Sequence, residues 1–236
     1  MRLDKFISTQ TPYTRAQIKR LVKAGAVTVD QKAVSSCDMK IDPEKNVVCV
    51  EGKEITYQKH VYLMLNKPKG VVSATKDRDL PTVLDLIGEE YAHRDLFPAG
   101  RLDRDTTGFV LITDDGDFAH KILSPKKHVP KTYLLTLDSP AHITAEDTFE
   151  NGVVLGDGTA CLSAKVIFDT NRQSGTVVIR EGMYHQIKRM FASLGCHVTR
   201  LHREKMGDLS LDKSLDEGQY RELTKDEIAL IENAKM

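Results

Sequence analysis

The sequence runs to 236 residues, 40% hydrophobic and 29% charged, long for one ordinary domain of roughly 100–200 residues and too apolar for disorder. Its 34 Lys/Arg balance 34 Asp/Glu, so total charge alone points to no polyanionic partner. The opening Met1-Arg2-Leu3-Asp4-Lys5 is charged where a signal peptide is apolar, and no stretch approaches the ~18 apolar residues of a membrane span, so a cytoplasmic chain with no membrane partner is expected.

Charge is unevenly distributed. Residues 1–59 hold 11 Lys/Arg against 7 Asp/Glu, and residues 60–236 hold 23 against 27. Thr14-Arg15-Ala16-Gln17 has the form of a capping box and Gly25 suits a helix stop, which predicts a helix over about 15–24. On it Ile18, Leu21 and Val22 make an apolar side, while Arg15, Lys19 and Lys23 recur at i, i+4 and i+8 with no acid between them. A self-neutralising surface would alternate signs, so this stripe is a candidate phosphate-binding face. Val27-Thr28-Val29, the turn Asp30-Gln31 and Lys32-Ala33-Val34 then read as a hairpin. Met1 to Ile7, Thr14-Arg15 and Val27-Thr28-Val29-Asp30 together resemble an S4 domain. That resemblance implies a compact module that binds structured RNA. Polar Gln58-Lys59-His60 precede the apolar run 61–65, which divides the chain into domains at 1–59 and 60–236.

From residue 61 on, β-like runs at 61–65, 109–113, 133–137, 164–168 and 176–179 alternate with helical stretches, predicting an α+β domain. Asn66-Lys67-Pro68-Lys69-Gly70 reads as a turn whose lysines suit phosphate. Residues 118–137 hold no acid but carry His120, Lys121, Lys126, Lys127, His128 and Lys131, a candidate track for an RNA backbone. Tyr133 shares a strand side with Leu135 and Leu137, as a core residue would. A helix predicted over about 184–194 puts Tyr184, Ile187, Phe191 and Leu194 on its apolar side, with Lys188 beside them and His185, Arg189 and Ser193 on the polar face. An ammonium in that position must snorkel or be paired. Residues 180–205 add Arg180, Arg200, Arg203 and Lys205 to the basic residues expected to meet RNA, and a capping box at Thr224 to Glu227 opens a closing helix. Cys37, Cys49, Cys161 and Cys196 are far apart with no Cys-x-x-Cys pair, so free thiols are expected.

The densest chemistry is the run Gly100-Arg101-Leu102-Asp103-Arg104-Asp105-Thr106-Thr107-Gly108, just before an apolar strand. A glycosidase carboxylate pair usually comes from separate elements ~5–9 Å apart. A phosphatase Asp-x-Asp-x-Thr loop wants an apolar strand directly before its first Asp, where Phe97-Pro98-Ala99-Gly100-Arg101 stands instead. A third option is a lone Asp acting on a nucleotide, as nucleophile or as base.

Gly100 to Asp103, Thr106-Thr107-Gly108, Leu111 and Thr113 to Gly116 resemble the active-site motif of the RsuA branch of the pseudouridine synthases. The likeness continues through residues 65–70, Lys131-Thr132-Tyr133, residues 181–190 and Leu201-His202-Arg203. It implies an S4 module of the α-L type followed by an α+β catalytic domain, a mainly antiparallel mixed sheet with flanking helices. It implies isomerisation of uridine in ribosomal RNA, without cofactor or metal: the N-glycosidic bond breaks, the held uracil turns, and a C–C bond forms. Asp103 would be the catalytic carboxylate, Lys188 the cation keeping it ionised and oriented, and Tyr133 the ring lying against the uracil. Arg101, Arg104, Thr106, Lys67, Lys131, His185 and Arg189 would meet the RNA, with Arg15, Lys19 and Lys23 contributing from the first domain. A target inside a helix must be flipped out at a cost of about a few kcal/mol. Within the branch the details point to uridine 516 of 16S small-subunit rRNA, in a protein-bound assembly intermediate, handled by a monomer. A large-subunit synthase of the same family is the alternative, and a non-catalytic RNA-binding assembly factor is the alternative from another class.

Overall fold

Helices α1 (Leu3–Gln10) and α2 (Arg15–Lys23) open the chain, which the computed structural model describes over residues 1–124 and 129–234. Helix α2 starts on the expected capping box: the Thr14 hydroxyl accepts the Gln17 amide, and the Gln17 carboxamide accepts the Thr14 amide at 2.8 Å. The hairpin β1 (Val27–Val29) and β2 (Lys32–Ala33) follows. Asp30 and Gln31 both take positive φ (49° and 67°), as a two-residue hairpin of right-twisted strands requires. With β3 (Val48–Val50) and β4 (Lys53–Glu54) the strands form an antiparallel sheet in the order β2-β1-β3-β4. Leu3, Phe6 and Ile7 of α1 and Ile18 and Val22 of α2 pack on Val27, Val29, Val48 and Val50 in one core. Arg15, Lys19 and Lys23 remain on the outside of α2, all exposed. This first unit comprises Met1–Val61 and also takes in Ile87–Leu96. Arg94 ties that segment down, donating to the Gln58 carbonyl at 2.8 Å and the Gln10 side chain at 3.0 Å.

The second unit, Tyr62–Leu86 and Phe97–Met236, is organised by one large sheet. Its strands are β5 (Tyr62–Lys67), β6 (Phe97–Pro98), β7 (Thr107–Thr113), β8 (Lys131–Leu137), β9 (Lys165–Phe168), β10 (Ser174–Ile179), β11 (Val198–Met206), β12 (Leu209–Ser210) and β13 (Tyr220–Glu222). The order is β13-β5-β7-β11-β8-β10-β9, with β6 on β7 and β12 on β11. Among the described residues β7 and β11 are the single parallel pair. Gly108 makes that pair possible: it lies opposite Arg203 at φ 101°, and a Cβ there would run into the Arg203 carbonyl oxygen. Helices α3 (Gly116–Leu123), α4 (Ala145–Glu150), α5 (Gln186–Ser193) and α6 (Lys225–Glu232) flank the sheet. Phe118 and Ile122 of α3 and Ile231 of α6 bury themselves with Met64, Phe109, Leu111 and Met206. Phe191 of α5 packs on Phe149 of α4 with ring centroids 4.8 Å apart. The mainly antiparallel mixed sheet with flanking helices matches the expected fold class. All four cysteines are free, Cys161 and Cys196 buried and Cys37 and Cys49 half-buried. Among the described residues no helix is long and apolar enough to cross a membrane.

Candidate active site

Residues 101–106 form a loop entering β7, and the backbone around it is bound from three directions. Ser73 clamps Leu102 on both sides, donating to its carbonyl and accepting its amide, each at 3.1 Å. The Gly70 amide donates to the Arg104 carbonyl at 2.8 Å, and the Thr106 amide donates back to the Asp103 carbonyl at 3.1 Å. The third tie is Lys67, the last residue of β5, whose ammonium donates to the carbonyls of Thr106 (2.8 Å), Pro68 (3.0 Å) and Arg104 (3.4 Å). This corrects the expectation that Lys67 presents its charge to RNA from a turn: the strand runs on through it, and its side chain is fully buried. Burial pushes the ammonium down to about 8, against the upward pull of Asp105 and Asp103. A free amine at that site still donates to carbonyl oxygens.

The loop so held turns Asp103 toward α5. Lys188, one turn into that helix, stands 3.0 Å from one Asp103 oxygen and 2.6 Å from an oxygen of Asp105. The expected Asp103–Lys188 pair is therefore present, and Asp105 joins it as a second carboxylate that the sequence reading left without a role. Burial pulls Lys188 down, but the hydrogen bonds it donates to Asp105 and Asp103 outweigh it, leaving the ammonium above its ordinary value. Asp105 responds in kind: burial raises it, the Lys188 hydrogen bond and charge lower it, and the net shift is down. The neighbouring Arg189 turns away to pair with Asp157, so the cation facing Asp103 from α5 is Lys188.

Asp103 forms part of the wall of a cavity of about 60 Å³, together with Arg101, Thr106, Tyr133, His185 and Lys188 and the apolar side chains of Ile179, Ile187 and Leu201. A larger cavity of about 750 Å³ adjoins it, sharing Arg101, Tyr133, Gly182 and Met183 and adding Lys131, Arg180 and Arg203. Tyr133 is buried yet lines both spaces, so its strand position serves core and cavity at once. Arg101 and Arg104 are exposed, the latter with its Nε 3.4 Å from the Gly70 carbonyl. Thr106 is buried, and its hydroxyl has no hydrogen-bond partner among the described residues. His185 reaches within 3.6 Å of Asp103.

Three further expectations change. Lys131 is buried and donates to the Val129 carbonyl at 3.1 Å, so it faces the interior cavity rather than an exterior track. Burial, helped by the charge of Arg203, lowers it to about 8. Lys121 of the same track is paired with Glu232, while Lys126, Lys127 and His128 lie outside the described residues. Arg203, grouped with the RNA-facing bases, is buried with its Nε donating to the Phe109 carbonyl at 2.6 Å. Lastly, α5 begins at Gln186 rather than 184, because His185 adopts a left-handed backbone (φ 49°), a conformation costing on the order of 1 kcal/mol for a non-glycine residue. That kink carries Tyr184 off the apolar face and leaves it 76% exposed. Gln186, buried, bonds back to Glu181 and to the Met183 amide, bracing the turn. Among the described residues no three His, Cys, Asp or Glu side chains are grouped to hold a metal ion.

The chain is similar to known proteins over nearly its whole length. Residues 61–193 match the RNA pseudouridylate synthase family and residues 1–47 match the S4 domain. The chain is 44% identical over 232 residues to the ribosomal small subunit pseudouridine synthase A of Escherichia coli (strain K12), covering 98% of this chain and 100% of that one. It is 45% identical over 236 residues to YtzG of Bacillus subtilis (strain 168), an uncharacterized RNA pseudouridine synthase, covering 98% of each. A crystal structure of a pseudouridylate synthase, 41% identical and covering 98% of this chain and 99% of that one, matches with a TM-score of 0.68.

Proposed function

This chain belongs to the RNA pseudouridylate synthase family and is thus an isomerase, and from that premise we propose that it converts one uridine of small-subunit ribosomal RNA to pseudouridine with Asp103 as the catalytic carboxylate. The observation carrying the proposal is the Asp103 oxygen 3.0 Å from Lys188 in the wall of a cavity that Tyr133 also lines. The target uridine is flipped from its stack into this cavity and the larger one adjoining it, its ring against Tyr133, which lines both, and its ribose toward Asp103. Asp103 then acts either on the ribose, as a nucleophile, or as a proton acceptor. Lys188 fixes the carboxylate orientation, and Asp105 holds Lys188 from its other side. The apolar wall of Ile179, Ile187 and Leu201 excludes water while the detached uracil turns and its C5 bonds to C1′.

Small-subunit RNA is favoured by the full-length likeness to a ribosomal small subunit pseudouridine synthase A, and the finer assignment we adopt is uridine 516 of 16S rRNA. The exposed stripe of Arg15, Lys19 and Lys23 contacts RNA phosphates from the S4 module, with Arg101, Arg104 and His185 nearer the reacting base. The enzyme acts as a monomer in the cytoplasm on a protein-bound assembly intermediate. Mapping pseudouridine in ribosomal RNA from cells with and without the gene tests the assignment. One small-subunit pseudouridine should disappear with the gene. A loss confined to large-subunit RNA would overturn the substrate, and an unchanged map would overturn the activity.

A further inference from the structure

The exposed ring of Tyr184 has no part in the chemistry above. A tyrosine 76% exposed usually has neither ring face covered, but this one has a neighbour on one face. One face of its ring lies on the His185 imidazole, with centroids 3.9 Å apart and planes within 16°. Its carbonyl accepts from Arg189, which is itself held by Asp157, and the left-handed turn at His185 sets the direction in which the ring leaves the chain. His185 and Met183 line the cavity wall, and Tyr184 stands between them in sequence but outside that wall. Because His185 Nε2 is 3.6 Å from Asp103, the two-ring stack rises from the edge of the cavity that holds the carboxylate.

We propose that Tyr184 is a nucleobase-binding subsite: its free ring face stacks on the unpaired base next to the flipped uridine. The inference rests on the reading of the cavity as the uridine site. Extracting one base strips its neighbours of a stacking partner, and an aromatic face at the rim replaces what they lose. A ring already stacked on His185 gives up less side-chain freedom on binding than a free one, so more of the stacking energy appears as affinity. Every base has a π-face, so this contact favours an unpaired neighbour without selecting its identity.

Initial rates of tritium release from small-subunit rRNA labelled at uridine C5 and assembled with small-subunit proteins would test this. The label is released because C5 exchanges its hydrogen for C1′. Tyr184→Phe keeps the ring and should stay within about twofold of the unaltered enzyme. Tyr184→Leu and Tyr184→Ala should each raise KM by roughly 5- to 150-fold, the range of base–aromatic stacking, with a much smaller change in kcat. Melting temperatures of all three should match the unaltered protein, because the ring is exposed. A Leu variant as good as the unaltered enzyme, or a Phe variant as poor as Ala, would overturn the subsite. Absence of tritium release by the unaltered enzyme would instead overturn the uridine-site reading on which the subsite rests.

Discussion

At the scale of single residues, Lys188 is the hinge of the site, because it touches Asp103 and Asp105 at once. Removing it leaves two carboxylates facing each other across a half-buried gap, a like-charge arrangement that disfavours ionisation of both. Charge-assisted hydrogen bonds contribute about 1.5–3 kcal/mol, so Lys188→Met should lower kcat/KM by roughly 10- to 150-fold in a tritium-release assay. Asp105→Asn, which leaves the Asp103 pair intact, should cost less than Lys188→Met. Equal losses would show that Asp105 does more than hold the lysine. That Lys188 needs a partner was legible in the sequence, since a lysine beside an apolar helix face must snorkel or be paired, while Asp103 as that partner came from the family resemblance. Asp105 and Ser73 were not legible, because their roles depend on which way a loop turns, and local pattern does not encode that. Lys67 was misread for a related reason. Lysine before proline and glycine has the composition of a turn, yet here the strand continues two residues further and buries it as a carbonyl-binding brace.

At the scale of elements, periodicity and capping chemistry carried most of the fold. The box at Thr14, the hairpin at Asp30-Gln31 and five strands of the large sheet, β5, β7, β8, β9 and β10, stand close to where propensity and turn residues placed them, whereas the central β11 was not foreseen. What failed was the start of α5. A helical period counted back from Ile187 passes smoothly through Tyr184, and nothing in the period announces a left-handed histidine. Periodicity was equally silent on Arg203 and Lys131, whose strands place their side chains inward. The stripe on α2 did come out exposed, and it predicts a measurable salt effect. Neutralising Arg15, Lys19 and Lys23 together to Gln should weaken RNA binding and reduce the slope of log affinity against log salt by up to about three counterions' worth. Filter binding across a salt series reads this directly, and an unchanged slope would place the stripe away from the RNA.

Across the whole molecule, the balanced net charge conceals buried cations under the site. Lys67 and Lys131, both near 8, hold protons less tightly folded than unfolded, where a lysine titrates at about 10.4. Between pH 8 and about 10 the unfolded chain therefore binds more protons, and stability should rise with pH over that window. Lys188, shifted upward, keeps its contribution through this range and loses it only above the ordinary lysine value. Asp105, shifted downward, loses its contribution only as pH falls below the ordinary carboxylate range. Urea midpoints should increase from pH 8 to 10, and Lys131→Met should flatten that increase. An identical pH dependence in the variant would show Lys131 to be solvated. The proposed isomerisation depends on the carboxylate at 103, and restoring the missing pseudouridine in a deletion strain tests that dependence most directly. The unaltered gene should restore the modification in small-subunit rRNA. Asp103→Asn should restore none while its protein still binds that RNA within about 1 kcal/mol of the unaltered enzyme, since the change removes chemistry rather than phosphate contacts. Full modification by the Asn protein would contradict the account.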